Sequence, residues 1–257
     1  MRVITCNLNG VRSAVAKGFW SWLGRQRADV VCLQELRAER AQFPVELVRQ
    51  RSWHVHVAES AKKGYAGVAV LSHREPDRVS SGLGWPDFDA EGRWIQADFG
   101  PLSVVSLYVP SGTSGPERQA VKMRVLDRLL ERLGELRGSG RHYLVCGDFN
   151  IAHKQIDIEN WRGNQKSSGF LPEERAWMDR LFGPAGWVDV FRRLNPNPRE
   201  YTWWSNRGRA REKNVGWRID YHVATPALGA LGRRCSVYRA QRFSDHAPVT
   251  IDYEHPI

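Results

Sequence analysis

The chain has 257 residues, and its 38 Lys and Arg against 28 Asp and Glu give a formal charge of +10 with histidine neutral. A composition of 42% hydrophobic and 26% charged residues excludes disordered and collagen-like chains, and this length buries roughly three-quarters of the unfolded surface without disulfide staples. No apolar run approaches the roughly twenty residues of a membrane helix, and Met1-Arg2-Val3-Ile4-Thr5 is strand-like rather than a signal-peptide core, so a cytoplasmic protein with no membrane partner is expected.

Taken in chain order, the strand candidates are Val3–Asn7, Val30–Glu35, Trp53–Ala58, Ala66–Ser72, Trp94–Phe99, Ser103–Val109, Tyr143–Gly147, Tyr201–Trp204, Arg218–Val223, Ser236–Gln241 and Ala247–Asp252. Several are rich in β-branched and aromatic residues and bounded by Gly or Pro. Val30-Val31-Cys32-Leu33 and Tyr143-Leu144-Val145-Cys146 are continuously apolar, the pattern of central strands covered on both faces. Helices are predicted from about Val15 to Arg27, over Glu117–Leu136 and over Glu173–Phe182. The longest starts at Pro116-Glu117, stops before Gly138 and aligns Val121, Val125, Leu129, Leu133 and Leu136, joined by Leu126 and Leu130. Cys6, Cys32, Cys146 and Cys235 form no CxxC pair and read as thiols in a reducing compartment. With no repeat, tract or linker, residues 1–257 are expected to form a single α/β domain. So many strands favour two packed sheets with helices outside.

The positive charge favours a polyanionic partner, because Lys and Arg on phosphates release counterions. Polar residues at strand ends sharpen this. Asn7 and Asn9 follow the first strand, Glu35 the second, Asp148 and Asn150 the run Tyr143–Cys146, and Tyr108 lies near the end of another strand. Asp220 adjoins Arg218-Ile219, and Asp245-His246 precede the last strand. Rigid strands hold such groups still while loops admit substrate. Carboxylate and amide oxygens suit Mg²⁺ or Mn²⁺ rather than zinc, and a His beside an Asp can hold a charged imidazole. The chain has neither the GxSxG elbow of a serine hydrolase nor the HExxH of a zinc protease. Phosphodiester hydrolysis is the chemistry that fits.

Asn7-Leu8-Asn9-Gly10-Val11-Arg12, Ala28–Glu35, Gly147-Asp148-Phe149-Asn150, Asn214–Tyr221 and Ser244-Asp245-His246-Ala247-Pro248 occur in an order that resembles the exonuclease III family of apurinic/apyrimidinic endonucleases, within the DNase I-like superfamily. Gly169-Phe170-Leu171-Pro172-Glu173-Glu174-Arg175 and Tyr201-Thr202-Trp203-Trp204 add to the likeness. The resemblance implies a four-layer α/β sandwich of two mixed sheets packed face to face with flanking helices. It implies Glu35 as principal Mg²⁺ ligand, with Mn²⁺ able to substitute, and Asn9 and Asp245 near the ion. Asp148 would activate the attacking water, oriented by Asn150. His246, paired with Asp220, would contact the phosphate, Tyr108 the phosphate or leaving oxygen, and Asn7 would position the network. Asn164 and Ser167 resemble a loop that grips phosphates, and Trp203, Trp217 and Ile219 a pocket for a flipped-out abasic sugar.

The implied enzyme is a monomeric Mg²⁺-dependent nuclease cutting double-stranded DNA 5′ of abasic sites, with 3′-phosphodiesterase, 3′-phosphatase and some 3′→5′ exonuclease action. Its partners would be DNA with abasic sites or blocked 3′ ends. Arg37 stands where the family usually has Lys, Val190 where it has Ser or Thr, and the loop after Pro110 lacks an arginine that some relatives wedge into the duplex. The alternatives are a phosphatase or phosphodiesterase of the same superfamily, against which the Trp motifs and the basic charge argue, and an inactive regulatory binding protein. Retention of Glu35, Asp148, Asn150, Asp220, Asp245 and His246 argues against the latter.

Overall fold

Strands that are apolar on both faces need cover on both, which two stacked sheets with helices outside provide. The computed structural model describes residues 1–45 and 52–257. Its strands are β1 (Arg2–Asn7), β2 (Val30–Gln34), β3 (His54–Ala58), β4 (Val68–Ser72), β5 (Arg78–Ser81), β6 (Trp94–Phe99), β7 (Leu102–Tyr108), β8 (His142–Asp148), β9 (Val188–Asp189), β10 (Trp203–Trp204), β11 (Gly216–Trp217), β12 (Asp220–Ala224), β13 (Gly232–Val237) and β14 (Val249–Tyr253). One six-stranded sheet has the order β13-β14-β1-β2-β4-β3 and the other β5-β6-β7-β8-β12-β9, with β10 and β11 forming a separate ribbon. Each large sheet has a central parallel pair, β1 with β2 or β7 with β8, flanked on both sides by antiparallel strands.

Side-chain alternation divides the core into layers. Val30 and Cys32 enter the space between the sheets with Val3, Val68, Val104, Leu144 and Cys146. Val31 and Leu33 point the other way, onto Phe19, Trp20, Trp22 and Leu23. On the opposite outer face Val105, Leu107 and Val145 meet Leu126, Leu129, Leu133, Trp177 and Met178 from the helices Pro116–Gly138 and Pro172–Phe182. The result is the α/β/β/α sandwich expected. All four cysteines are free thiols, and among the described residues no helix is long and apolar enough to cross a membrane.

Local differences from the sequence reading have local causes. The helix expected from Val15 to Arg27 is two short helices, Val11–Ala16 and Phe19–Leu23, because Gly18 turns left-handed between them at φ +88°. The strand expected at Ser236–Gln241 lies instead at Gly232–Val237, where it follows β14 through a register shift. On the long helix the buried stripe is Leu126, Leu129, Leu133 and Leu136 with Lys122, while Val121, Val125 and Leu130 are half-buried. A lysine occupies that stripe because Glu174 of the next helix meets it. Gly147 permits a second close fit: at φ +148°, a Cβ there would lie 1.9 Å from the Leu107 oxygen of the neighbouring strand.

His222 of β12 is fully buried, with Nδ1 3.1 Å from the Tyr253 hydroxyl of the facing sheet. Burial pulls its pKa down to about 3 from 6.5. The folded ring therefore stays neutral while an unfolded chain takes up a proton, so this residue makes stability fall as pH drops from 6.5 toward 3. For one proton the slope is at most ~1.4 kcal/mol per pH unit. Urea midpoints of wild type and His222→Gln between pH 7 and 5 should show a shallower dependence in the variant; equal slopes would contradict this.

Candidate active site

The sheet topology gathers the polar strand ends at one edge. The parallel pairs point β1, β2, β7 and β8 the same way, so Asn7, Tyr108 and Asp148 end their strands there and Glu35 follows β2 by one residue. Antiparallel β12 and β14 start at that edge, which brings in Asp220 and the preceding segment with Asp245 and His246. Register aligns Tyr108 with Asp148 and Asp148 with Asp220 across three neighbouring strands. Asp220 thus begins a strand rather than ending one.

Hydrogen bonds join these residues. The Asn7 amide donates to Glu35 Oε1 at 2.8 Å and to Asp148 Oδ2 at 2.9 Å, linking the two sheets. The Tyr108 hydroxyl donates to the same Glu35 oxygen at 2.7 Å, while Arg37 pairs with Glu35 Oε2. The Asn150 backbone N–H donates to Asp148 Oδ1 at 2.8 Å, and its side-chain amide donates to the Val109 carbonyl at 2.9 Å. His246 Nδ1 lies 2.9 Å from Asp220 Oδ2, and its Nε2 is 3.8 Å from Asp148 Oδ2, too far for a hydrogen bond. Asn9 donates to Asp245 Oδ1 at 2.8 Å, and Trp203 Nε1 to Asp245 Oδ2 at 3.0 Å. Asn9, Glu35, Arg37 and Asn150 all have φ between +47° and +53°, so the backbone is strained around the cluster.

The crowding of carboxylates sets the protonation states. Burial is the main force on Asp148 and pushes it up to about 7; Asp220 and Glu35 add to the rise and His246 opposes it. Burial disfavours a charged His246, yet Asp220, with Asp148 and Asp245, raises its imidazole to about 10. Burial also favours a neutral Glu35, but Asn7, Arg37 and Tyr108 outweigh it and hold the carboxyl below its usual range. Burial and the neighbouring Glu35 raise the Tyr108 phenol well above its ordinary value, so it remains a donor.

Glu35, Asp148 and His246 offer atoms within 4.8 Å of one another, a spacing that could hold a metal ion. The protonated imidazole is itself a cation and a poor ligand, which leaves the carboxylate oxygens. Asp245 lies outside that close group and joins the network through Asn9 and Trp203. An oxygen donor set matches a hard divalent cation.

The cluster opens into a cleft of about 680 Å³ lined also by Ser167, Trp203, Trp217 and Ile219. Trp203 and Trp217 pair across the β10–β11 ribbon as edge-to-face rings with centroids 6.1 Å apart. Both stay half-buried while Ile219, Phe170 and Ile158 back them. Asn164 does not line the cleft: its amide donates to the Asn160 carbonyl and its oxygen accepts from Ser167. Three supporting residues escaped the sequence reading. The Thr202 hydroxyl accepts from the N–H groups of Ile219 and Asp220. Arg93 is buried with its guanidinium 4.4 Å from the Tyr108 ring. Arg218 is fully buried and bonds Asp157 and Asp189. Thr202 and Arg218 lie inside motifs already singled out, and only contact information reveals what they do.

Residues 4–246 match the Endonuclease/Exonuclease/phosphatase family. The chain is 37% identical over 253 residues to an exodeoxyribonuclease of Bacillus subtilis, covering 98% of each protein. It is 36% identical to the DNA repair nuclease APEX1 of Danio rerio, covering 98% of this chain and 81% of that protein. Its structure superposes on an AP endonuclease from Archaeoglobus fulgidus with a TM-score of 0.89 and 30% identity, covering 99% of this chain and 100% of the other. With the fold, the cluster and these likenesses in agreement, the chain belongs to the endonuclease/exonuclease/phosphatase family, as a hydrolytic nuclease of its exonuclease III branch.

Proposed function

We propose that this nuclease is Mg²⁺-dependent and hydrolyses the phosphodiester bond 5′ of abasic sites in double-stranded DNA, leaving a 3′-hydroxyl and a 5′-deoxyribose phosphate. Cleaning of blocked 3′ ends and some 3′→5′ exonuclease action follow from the same centre. The observation that carries the reading is the junction in one cleft of the Glu35–Asp148–His246 cluster with the apolar wall of Trp203, Trp217 and Ile219. A sugar without its base fits such a wall, whereas a base would clash, and extruding an abasic nucleotide loses little stacking or pairing. All the groups invoked come from one chain, so the site needs no residue from a second copy.

Glu35 would hold the ion, with Asn9 and Asp245 beside it and Mn²⁺ able to substitute. When bound, the ion supplies charge neutralisation on the phosphate and on the leaving oxygen. Asp148 takes the proton of the attacking water, and a pKa near 7 suits a general base at neutral pH. The Asn150 N–H fixes one oxygen of that carboxylate, and the Asn7 amide fixes the other. His246 would present its Nε2 proton to a phosphoryl oxygen, because Asp220 occupies Nδ1 and among the described residues no carboxylate is close enough to take Nε2–H. Tyr108 keeps its proton, which it gives to Glu35 Oε1 in the free site and would turn to the phosphate or leaving oxygen when DNA binds. Ser167 lies along the cleft wall with its hydroxyl donating to Asn164 Oδ1, and it would reach a DNA phosphate by turning that proton outward.

An end-labelled duplex with one abasic analogue should be cut once, on the 5′ side, with Mg²⁺ and not with EDTA; cutting in EDTA, or none with Mg²⁺, would overturn the reading. Asp148→Asn should keep DNA affinity within a few-fold and lose about 10²–10⁴ in turnover. Asp220→Asn tests the imidazole. Removing the carboxylate that holds the proton lowers the His246 pKa, so the alkaline fall in kcat should move to lower pH than in wild type. An unmoved alkaline limb would take His246 out of its role as a cationic donor.

A further inference from the structure

A buried ion pair outside the steps above lies directly behind the cleft. Lys122 and Glu174 are both fully buried and 2.5 Å apart, on the helices Pro116–Gly138 and Pro172–Phe182. Lys122 Nζ also donates to the backbone oxygen of Asn150 at 2.8 Å. Glu174 Oε2 accepts the N–H groups of Gly169 at 2.6 Å and Leu171 at 3.0 Å. Gln119 Nε2 donates to Glu174 Oε1 at 3.1 Å, while Gln119 Oε1 accepts from the Ser168 hydroxyl at 2.7 Å. The network therefore grips the chain at Asn150, on one side, and at the Ser168–Leu171 wall on the other.

The packing around it is close. A Cβ at Gly169 would come within 3.0 Å of the Asn150 oxygen and 3.1 Å of the Trp217 ring, and one at Gly112 would lie 1.8 Å from Gln119 Oε1. Burying two charges costs several kcal/mol per ion before their attraction is counted. An apolar pair of equal volume would avoid that penalty but would hold neither Asn150 nor Gly169. The conformation of Asn150 matters because its N–H holds Asp148 while its φ of +53° is one that a side-chain-bearing residue seldom adopts.

We propose that Lys122 and Glu174 are positioning residues whose buried pair fixes the Asn150 backbone, and through it the Asp148 carboxylate, while Gln119 carries the same restraint to the Ser168 wall. This rests on the function proposed above and gives the motif Gly169–Arg175 a task. Lys122 acts on the chemical step, and Gln119 acts on the grip on DNA.

The test is steady-state and single-turnover cleavage of the abasic duplex with Mg²⁺, at a temperature where tryptophan fluorescence shows each variant folded. Lys122→Met should lower kcat at least tenfold with KM within threefold. Gln119→Ala should raise KM several-fold with kcat within twofold. In an Asp148→Asn background, Lys122→Met should cost less than a further twofold, because it acts through that carboxylate. Should Lys122→Met fail to fold, Glu174→Gln, which keeps shape and an acceptor oxygen but not the charge, should show the same fall in kcat and the same non-additivity. A folded Lys122→Met or Glu174→Gln variant with wild-type kcat would overturn the inference. So would full additivity with Asp148→Asn, or a kcat loss in Gln119→Ala equal to that in Lys122→Met. A wild-type chain inert on the abasic duplex would overturn the functional reading and this inference with it.

Discussion

The cleft depends on one amide. Asn7 ends a strand of one sheet and donates both to Glu35, beside that sheet, and to Asp148, on the other. Two carboxylates so close in a buried setting repel each other, and the repulsion falls off only slowly where water is excluded. A neutral donor between them stabilises both charges without adding a cation that would compete with a metal. The same bridge ties the edges of the two sheets together, so packing of the inter-sheet core and spacing of the carboxylates are a single geometric condition. Asp220 and His246 complete the balance: the imidazole retains its proton because three carboxylates surround it, and it offsets their charge.

Strain and burial at this edge are held in place by ordinary secondary structure. The positive φ of Glu35 and Asn150 each follow the last residue or two of a strand, where the ladder has ended but the preceding backbone is still fixed by pairing. Further back, Gly147 lets β8 lie close to β7, and Thr202 uses its hydroxyl to satisfy the two N–H groups at the start of β12. Arg218 performs a similar service behind the site. It neutralises Asp157 and Asp189, and their carboxylates hold its guanidinium charged despite complete burial. Removing one member of such a set would leave an uncompensated buried charge, which is more damaging than replacing the whole set by apolar groups.

The sequence revealed the residues of the cluster because each interrupts an apolar run at the point where side-chain alternation stops. Asn7, Glu35, Asp148 and Asp220 stand out for that reason, and the motif order supplied the fold that unites them. Other features depend on contacts between distant segments. Lys122 looks like a defect in a leucine stripe until Glu174 is seen opposite it. Gly18 could have been an interior helix glycine, and only its left-handed backbone separates two short helices. The edge strand Arg78–Ser81 is half-exposed and polar, so no hydrophobic pattern marks it; its pairing with β6 defines it. Asn164 illustrates the reverse case, a residue matched by motif whose side chain is committed to its own turn.

Trp203 joins the two halves of the cleft. Its ring forms part of the apolar wall with Trp217, while its indole N–H holds Asp245, which Asn9 holds from the other side. Asn9 in turn donates its backbone N–H to the Asn7 oxygen. A chain of direct hydrogen bonds thus runs from the wall that would meet the sugar to the amide that spaces Glu35 and Asp148. Moving the ring outward would lengthen the bond to Asp245, and a shift there reaches the carboxylates through Asn9 and Asn7. On the proposed function, recognition of the sugar and placement of the acidic groups would be parts of one hydrogen-bonded network, in which a poorly seated substrate would disturb the geometry needed for its own cleavage.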